Sequence, residues 1–187
     1  MSVIINNLKA AINGESNAQR AYQLFAEQAK KENLPEVARL FIAISNAEGI
    51  HIKNHLRALT VITGSEPTKD FIKIEEEKLK AQVKDTKANL QMAIDGETYE
   101  TKKMYKEFVK NAKKAESDVA ELSFDLARKA EKIHAKLYTN YLKLLEKNQS
   151  IEDKDIFVCK ICGNVEFQNP PANCPVCDHG AQFFEKY

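Results

Sequence analysis

Helix breakers are scarce in this chain. Among 187 residues there are only 6 Gly and 5 Pro, and three of the Pro lie after residue 169. Most of the chain is therefore free to form long helices. Neither sign of charge dominates: 28 basic against 27 acidic residues give a formal net charge of +1. That balance argues against a nucleic-acid partner or an acidic one. No apolar run approaches the roughly 18–20 residues of a membrane span. The opening residues, Met1 to Asn6, hold no basic region and no long apolar segment, so no secretory signal is expected. Cysteine is confined to four residues between 159 and 177, where a secreted protein would more often spread a disulfide framework. A reducing, cytoplasmic setting is expected.

Against that sparse background four helices are legible. The first runs from about residue 4 to 32, where Asn33-Leu34-Pro35 ends it. Pro35 suits the first turn of the second helix, which runs to about residue 60. Thr63-Gly64-Ser65-Glu66-Pro67 is a break. A third helix is expected from about 71 to 111, and a fourth, after a turn at 113–117, to about 147. Composition changes near Gln149. The remaining residues carry every Cys, three Pro and a run of aromatics, and form a module too small for a core of its own. The expected division is 1–148 and 149–187.

One pattern occurs twice. Glu15 is followed by Glu48-Gly49-Ile50-His51, and Glu97 by Glu131-Lys132-Ile133-His134. The flanking residues repeat too: Ala11-Ile12-Asn13-Gly14-Glu15-Ser16 parallels Ala93-Ile94-Asp95-Gly96-Glu97-Thr98. One carboxylate plus a Glu-x-x-His pair from each half is the ligand set of a two-metal carboxylate site in a four-helix bundle. A lone Glu-x-x-His is mostly chance; two copies in phase are not.

Helical phase places these acids inside. Advancing about 100° per residue, Glu131 and His134 share a stripe with Phe124, Ala127, Tyr138 and Leu142. Glu48 and His51 share one with Leu40, Phe41, Ile44 and Leu59, and Glu15 one with Tyr22 and Phe25. Glu97 and Glu100 fall with Leu79, Val83, Leu90, Ala93, Met104 and Phe108. Five carboxylates and two imidazoles thus point into one interior. Buried carboxylates without partners are costly, and metal cations compensate them. Oxygen and imidazole ligands at this spacing suit iron or manganese better than zinc. Tyr22 and Tyr105 are candidates to hydrogen-bond the ligand carboxylates, with plain core aromatics the equal alternative. His55, one turn beyond His51, reads as an outer partner of the site or as solvent-facing. Gly49, inside the first Glu-x-x-His, is expected to mark a local helix distortion.

Cys159-Lys160-Ile161-Cys162 and Cys174-Pro175-Val176-Cys177 form two knuckles that together make a tetrahedral sulfur site. Structural zinc and redox-active iron both accept that geometry, and spacing leaves the choice open. His179, after the second knuckle, reads as a surface-loop residue.

The order of these motifs over the whole chain, Gly14-Glu15-Ser16, Glu48-x-x-His51, Gly96-Glu97-x-x-Glu100, Glu131-x-x-His134 and the terminal Cys pairs, resembles the rubrerythrin family. The resemblance implies a mainly α, ferritin-like four-helix bundle followed by a rubredoxin-like module. It implies two non-haem irons in the bundle and one iron on the four cysteines, with zinc as a substitute. Glu48 and Glu131 then match bridging carboxylates, and Glu15 and Glu97 terminal ligands. His134 matches the imidazole on the Glu97 iron. Glu100 and His51 match the pair that exchange at the other iron. The implied activity is reduction of hydrogen peroxide to water, in protection against oxidative stress. The implied electrons come from NAD(P)H through a reductase or rubredoxin. Family members assemble as homodimers, some with exchanged helices, with the cysteine module of one chain near the two-iron site of its partner. Two other readings stay open: a ferritin-like ferroxidase or iron-handling protein, and a non-enzymatic sensor or scaffold with zinc on the cysteines.

Overall fold

A computed structural model describes residues 1–187. Helix α1 (Ser2–Lys31) and helix α2 (Pro35–Thr63) form the first hairpin, with Pro35 opening α2 as its position suggests. The second hairpin is α4 (Thr86–Tyr99), a π turn (Glu100–Met104) and α5 (Tyr105–Lys114), followed by α6 (Asp118–Glu146). No helix is long and apolar enough to cross a membrane.

The third helix departs from expectation in two ways. It does not begin near Phe71. Residues 64–85 are a crossover that carries only the short α3 (Glu76–Gln82), which has no buried residue. Leu79 and Val83 therefore do not belong to the Glu97 stripe. The crossover runs along α1: Asn13 and Asn17 hold Lys73 and Glu75 by backbone hydrogen bonds of 2.8–2.9 Å. Further along, Arg20 makes a two-pronged pair with Glu76. It ends where Glu32 accepts from the Thr86 amide and Asp85 caps α4 by accepting from Ala88 N. So α4 starts beside the end of α1 and runs back along it.

The second departure is the π turn. Its wider hydrogen-bond spacing inserts one extra residue into the helix. The inward phase beyond it falls on Tyr105, Val109 and Ala112, all buried, and not squarely on Met104 and Phe108, which are half-buried.

Two apolar clusters fill the bundle. One holds Tyr22, Phe25, Leu40, Phe41, Ile44, Leu90 and Tyr138; the other holds Ile4, Leu8, Ile12, Leu59, Tyr105 and Phe124. Each fully buried large apolar side chain contributes about 1.5–3 kcal/mol. Between the clusters lies a polar layer of Glu15, Glu48, His51, Glu97, Glu131 and His134, every one buried.

The C-terminal module is a three-stranded antiparallel sheet in the order β2-β1-β3, with β1 Ile156–Cys159, β2 Val165–Phe167 and β3 Phe184–Lys186. It does not stand apart. Ile156, Val158 and Val165 join the bundle's first apolar cluster, and Arg39 of α2 pairs with Asp153 and donates to Lys154 O. This shared core seats the module on the bundle of its own chain.

Candidate metal centres

The polar layer resolves into two overlapping clusters. Glu15, Glu48, His51 and Glu131 offer ligand atoms within 4.8 Å of one another, as do Glu48, Glu97, Glu131 and His134. Glu48 and Glu131 belong to both. His51 Nδ1 lies 2.9 Å from Glu48 Oε2 and 2.7 Å from Glu131 Oε1. His134 Nδ1 lies 2.7 Å from Glu131 Oε2 and 3.6 Å from Glu48 Oε1. Each shared carboxylate thus turns one oxygen to each imidazole, as a bridge between two cations would. Glu15 and Glu97 close the two ends, 3.7 Å from His51 and His134 respectively.

The imidazole tautomers follow from the other ring nitrogen. His51 Nε2 is 3.0 Å from the carbonyl of Cys162, and His134 Nε2 is 3.0 Å from the carbonyl of Gly163. A carbonyl only accepts, so Nε2 carries the proton in both rings. Each Nδ1 then presents its lone pair to the carboxylates. Glu15 Oε2, both oxygens of Glu48, His51 Nδ1, Glu97 Oε2 and Glu131 Oε1 are buried with no hydrogen-bond partner. Lone pairs facing lone pairs in a dry interior demand either protons or cations. None of the ion pairs to these carboxylates comes from a Lys or Arg. The donor set therefore fits a pair of metal ions of mixed oxygen and nitrogen preference.

Without metal, protons take that part. Burial first, then the charges of Glu100, Glu131 and Glu48, push the Glu15 carboxyl well above its ordinary range. Burial, then Glu48 and Glu97, do the same to Glu131. Glu48 goes the other way: burial works to raise it, but the His134 and His51 imidazoles facing it hold it down to about 2. Burial opposes charge on both imidazoles, yet the facing carboxylates raise His51 and raise His134 further.

Glu100 sits apart from the other predicted ligands. It is the first residue of the π turn, half-buried, and joins neither cluster. Its charge nevertheless bears on Glu15, and burial followed by Glu131, Glu97 and Glu48 raises its own carboxyl. Tyr22 donates to Glu97 Oε1 at 2.7 Å, and Tyr105 donates to Glu15 Oε1. Both tyrosines are thus more than packing. Sequence reasoning missed Tyr138, whose buried hydroxyl has no partner and lies within the field of Glu97, Glu48 and Glu131. It also undervalued His55, which is wholly buried and hydrogen-bonded to Ser123 and Tyr105. The signal was there: position i+4 from His51 lies on the same stripe.

Gly49 does not distort α2, which is continuous through it. A Cβ there would come 2.7 Å from Gln19 Nε2. That amide donates to Ser45 O, and Ser45 Oγ donates back to Gln19 O. Gly49 thus admits a reciprocal clamp between α1 and α2 beside the site.

All four cysteine sulfurs fall in a third cluster, with Cys159 and Cys177 3.7 Å apart and Cys162 and Cys174 3.6 Å apart. Contact with Cys159 and Cys162 holds Cys174 down to about 2, while contact with Cys159 and Cys174 pushes Cys162 up. Sharing protons this way is what crowded thiols do when no cation takes their place. His179 is exposed on its loop. Gly163, just past the first knuckle, has φ +80°, and a Cβ on it would lie 2.5 Å from His51 Nε2. A glycine is required both for the left-handed turn and for the closeness of knuckle to histidine.

The family model described as Rubrerythrin matches residues 6–142, and that of the rubrerythrin rubredoxin-like domain matches residues 157–185. The chain belongs to the rubrerythrin family. Rubrerythrin-2 of Clostridium acetobutylicum is 34% identical over 91% of this chain and 89% of its own length. Nigerythrin of Nitratidesulfovibrio vulgaris is 32% identical over 98% of this chain and 86% of its own. A solved structure of nigerythrin in its fully reduced, all-ferrous state superposes with a TM-score of 0.85 at 29% identity, covering 98% of this chain and 86% of that one. Rubrerythrins are oxidoreductases that carry a di-iron carboxylate site and a rubredoxin-like four-cysteine site. This chain holds the candidate ligand groups for both.

Proposed function

We propose that this protein is a peroxidase of the reducing cytoplasm that converts hydrogen peroxide to water, with electrons drawn from NAD(P)H through a reductase or a rubredoxin. In this reading Glu15, Glu48, His51, Glu97, Glu100, Glu131 and His134 hold two irons, and Cys159, Cys162, Cys174 and Cys177 hold a third. When bound, the bundle irons supply paired one-electron chemistry and Lewis acidity, and the thiolate iron supplies single electrons.

The chain's own residues do the rest. Glu48 and Glu131 hold the two metal positions at a fixed separation, each sharing its oxygens between the histidines. The Tyr22 and Tyr105 hydroxyls orient the terminal carboxylates Glu97 and Glu15. Glu100 opens the π turn, an irregularity that recurs at functional sites, and in this reading it is the carboxylate that exchanges with His51. The two apolar clusters keep bulk water from the layer between them.

One observation carries the reading over ferritin-like iron handling: both site histidines are tied through Nε2 to consecutive carbonyls of the first cysteine knuckle. A storage protein has no use for a direct hydrogen-bonded join between a thiolate centre and its metal-loading site. An electron-fed peroxidase does. The test is steady-state turnover by the anaerobic, iron-loaded full chain with NAD(P)H, a rubredoxin reductase and a rubredoxin. Peroxide should be consumed one-for-one with NAD(P)H. Iron accumulation with oxygen consumption and no peroxide turnover would favour the ferroxidase reading.

A further inference from the structure

We infer that Ser123, His55 and Tyr105 form the proton inlet of the bundle site, a directed column of hydrogen bonds running from a surface groove to Glu15. The inference rests on the proposed peroxidase reading, because reduction of one peroxide to two waters consumes two protons along with two electrons from the rubredoxin-type donor. The electrons have a route at the cysteine knuckle; the protons need one of their own.

The column is continuous. Ser123 Oγ lies 2.7 Å from His55 Nδ1, His55 Nε2 lies 2.9 Å from Tyr105 Oη, and Tyr105 Oη meets Glu15 Oε1. Donor counting fixes its direction. The single phenolic proton of Tyr105 goes to Glu15, so the His55–Tyr105 bond must use a proton on His55 Nε2. A neutral imidazole then has a bare Nδ1, which accepts from the Ser123 hydroxyl. That hydroxyl is free to give. Ser16, Thr60 and Thr139 all return their protons to the carbonyl four residues back, and Ser123 does not. Every proton in the column therefore points toward Glu15.

The two ends differ in exposure. His55, Tyr105 and Glu15 are sealed among Phe124, Leu8, Ile12 and Leu59. Ser123, itself only 6% exposed, lines the floor of a groove of about 300 Å³ between α2, α6 and the cysteine module. Water in that groove can give a proton to Ser123 as Ser123 gives its own to His55 Nδ1. His55 passes the Nε2 proton to Tyr105, and Tyr105 passes its own proton to Glu15 Oε1, the last acceptor of the column. Each group gains one proton as it loses another, so no member need hold a charge. Hydroxyl rotation and return of the imidazole to its starting tautomer prepare the second transfer.

Two measurements test the column. The first needs no turnover: heteronuclear NMR of the imidazole nitrogens in the zinc-loaded full chain. His55 should carry its proton on Nε2 with Nδ1 as acceptor, and the Nε2 proton should exchange with solvent more slowly in Ser123→Ala. A proton on Nδ1 overturns the inference. The second is peroxide turnover of the iron-loaded chain with the rubredoxin donor. Ser123→Ala and His55→Gln should each lose about 100-fold, the lower end of what a positioned proton donor contributes. Iron content should be unchanged and the solvent deuterium isotope effect larger, and Ser123→Thr should recover most of the loss. Wild-type turnover and isotope effect in Ser123→Ala would contradict it. Should the wild type itself ignore peroxide, the proposed function is what fails, and the tautomer and exchange results still decide the column.

Discussion

The two hairpins carry the same ligand pattern but are not the same structure. In the first, α1 and α2 are unbroken, and the Gln19–Ser45 clamp over Gly49 draws them together. In the second, the helix that carries Glu97 breaks into a π turn at Glu100, and the first half has Ala18 where Glu100 stands. One half is continuous helix, and the other carries a further carboxylate at a helix irregularity. In the proposed function only the second half then has a carboxylate that can exchange at the metal site.

Removing the shared element should have the largest effect. Glu131→Ala deletes a carboxylate common to both clusters, so both bundle irons should be lost while the cysteine iron remains. Metal analysis with the visible thiolate–iron band checks this. Loss of one bundle iron alone would show that the halves bind independently.

Next is the join to the module. Gly163→Ala sets a methyl group against His51. Electron delivery from the cysteine centre should slow by about tenfold or more, the scale on which the outer partners of metal ligands act. Bundle iron should be retained. Stopped-flow reduction of the bundle site reads it.

Glu100→Ala makes the second half resemble the first. Peroxide turnover should fall by about 10- to 100-fold with iron content nearly intact, whereas Ala18→Glu should not create the converse advantage, because α1 has no π turn there. Turnover assays on both variants check the pair.

Proton linkage tests the polar layer as a whole. In metal-free protein, Glu15, Glu131, His51 and His134 all have raised folded pKa values. Their stabilisation is present below the unfolded values and is lost as pH rises through the folded ones. Glu48, held down to about 2, acts oppositely, and its contribution is lost only in strong acid. Thermal melts of chelator-treated protein should fall as pH rises above the ordinary carboxylate range. Metal replaces the protons, so the loaded protein should not show that decline and should instead weaken on acidification.

The carboxylate–histidine clusters and the four-cysteine cluster that the structure brings together were legible in the sequence, because inward helical phase and knuckle spacing are local properties. Four features were not. The π turn shifts phase by one residue, so Val109 and Ala112 face in where Met104 and Phe108 were expected. The crossover at 64–85 has the Glu- and Lys-rich look of a helix, but its geometry is set by Asn13, Asn17 and Arg20 of α1. The module's seat depends on Ile156, Val158 and Val165 finding a distant apolar cluster. The role of His55 depends on Ser123 and Tyr105, which are remote in sequence.

In the proposed function the cysteine centre feeds the bundle site, which passes its electrons to peroxide. The most direct measurement is an anaerobic single turnover. The fully reduced, iron-loaded chain is mixed with one equivalent of peroxide while the thiolate–iron absorption is followed. The bundle irons should oxidise first, and the thiolate–iron band should then return as the cysteine iron passes its electron to them. A reduced bundle site that is indifferent to peroxide, or a thiolate band that returns before the bundle irons react, would contradict it.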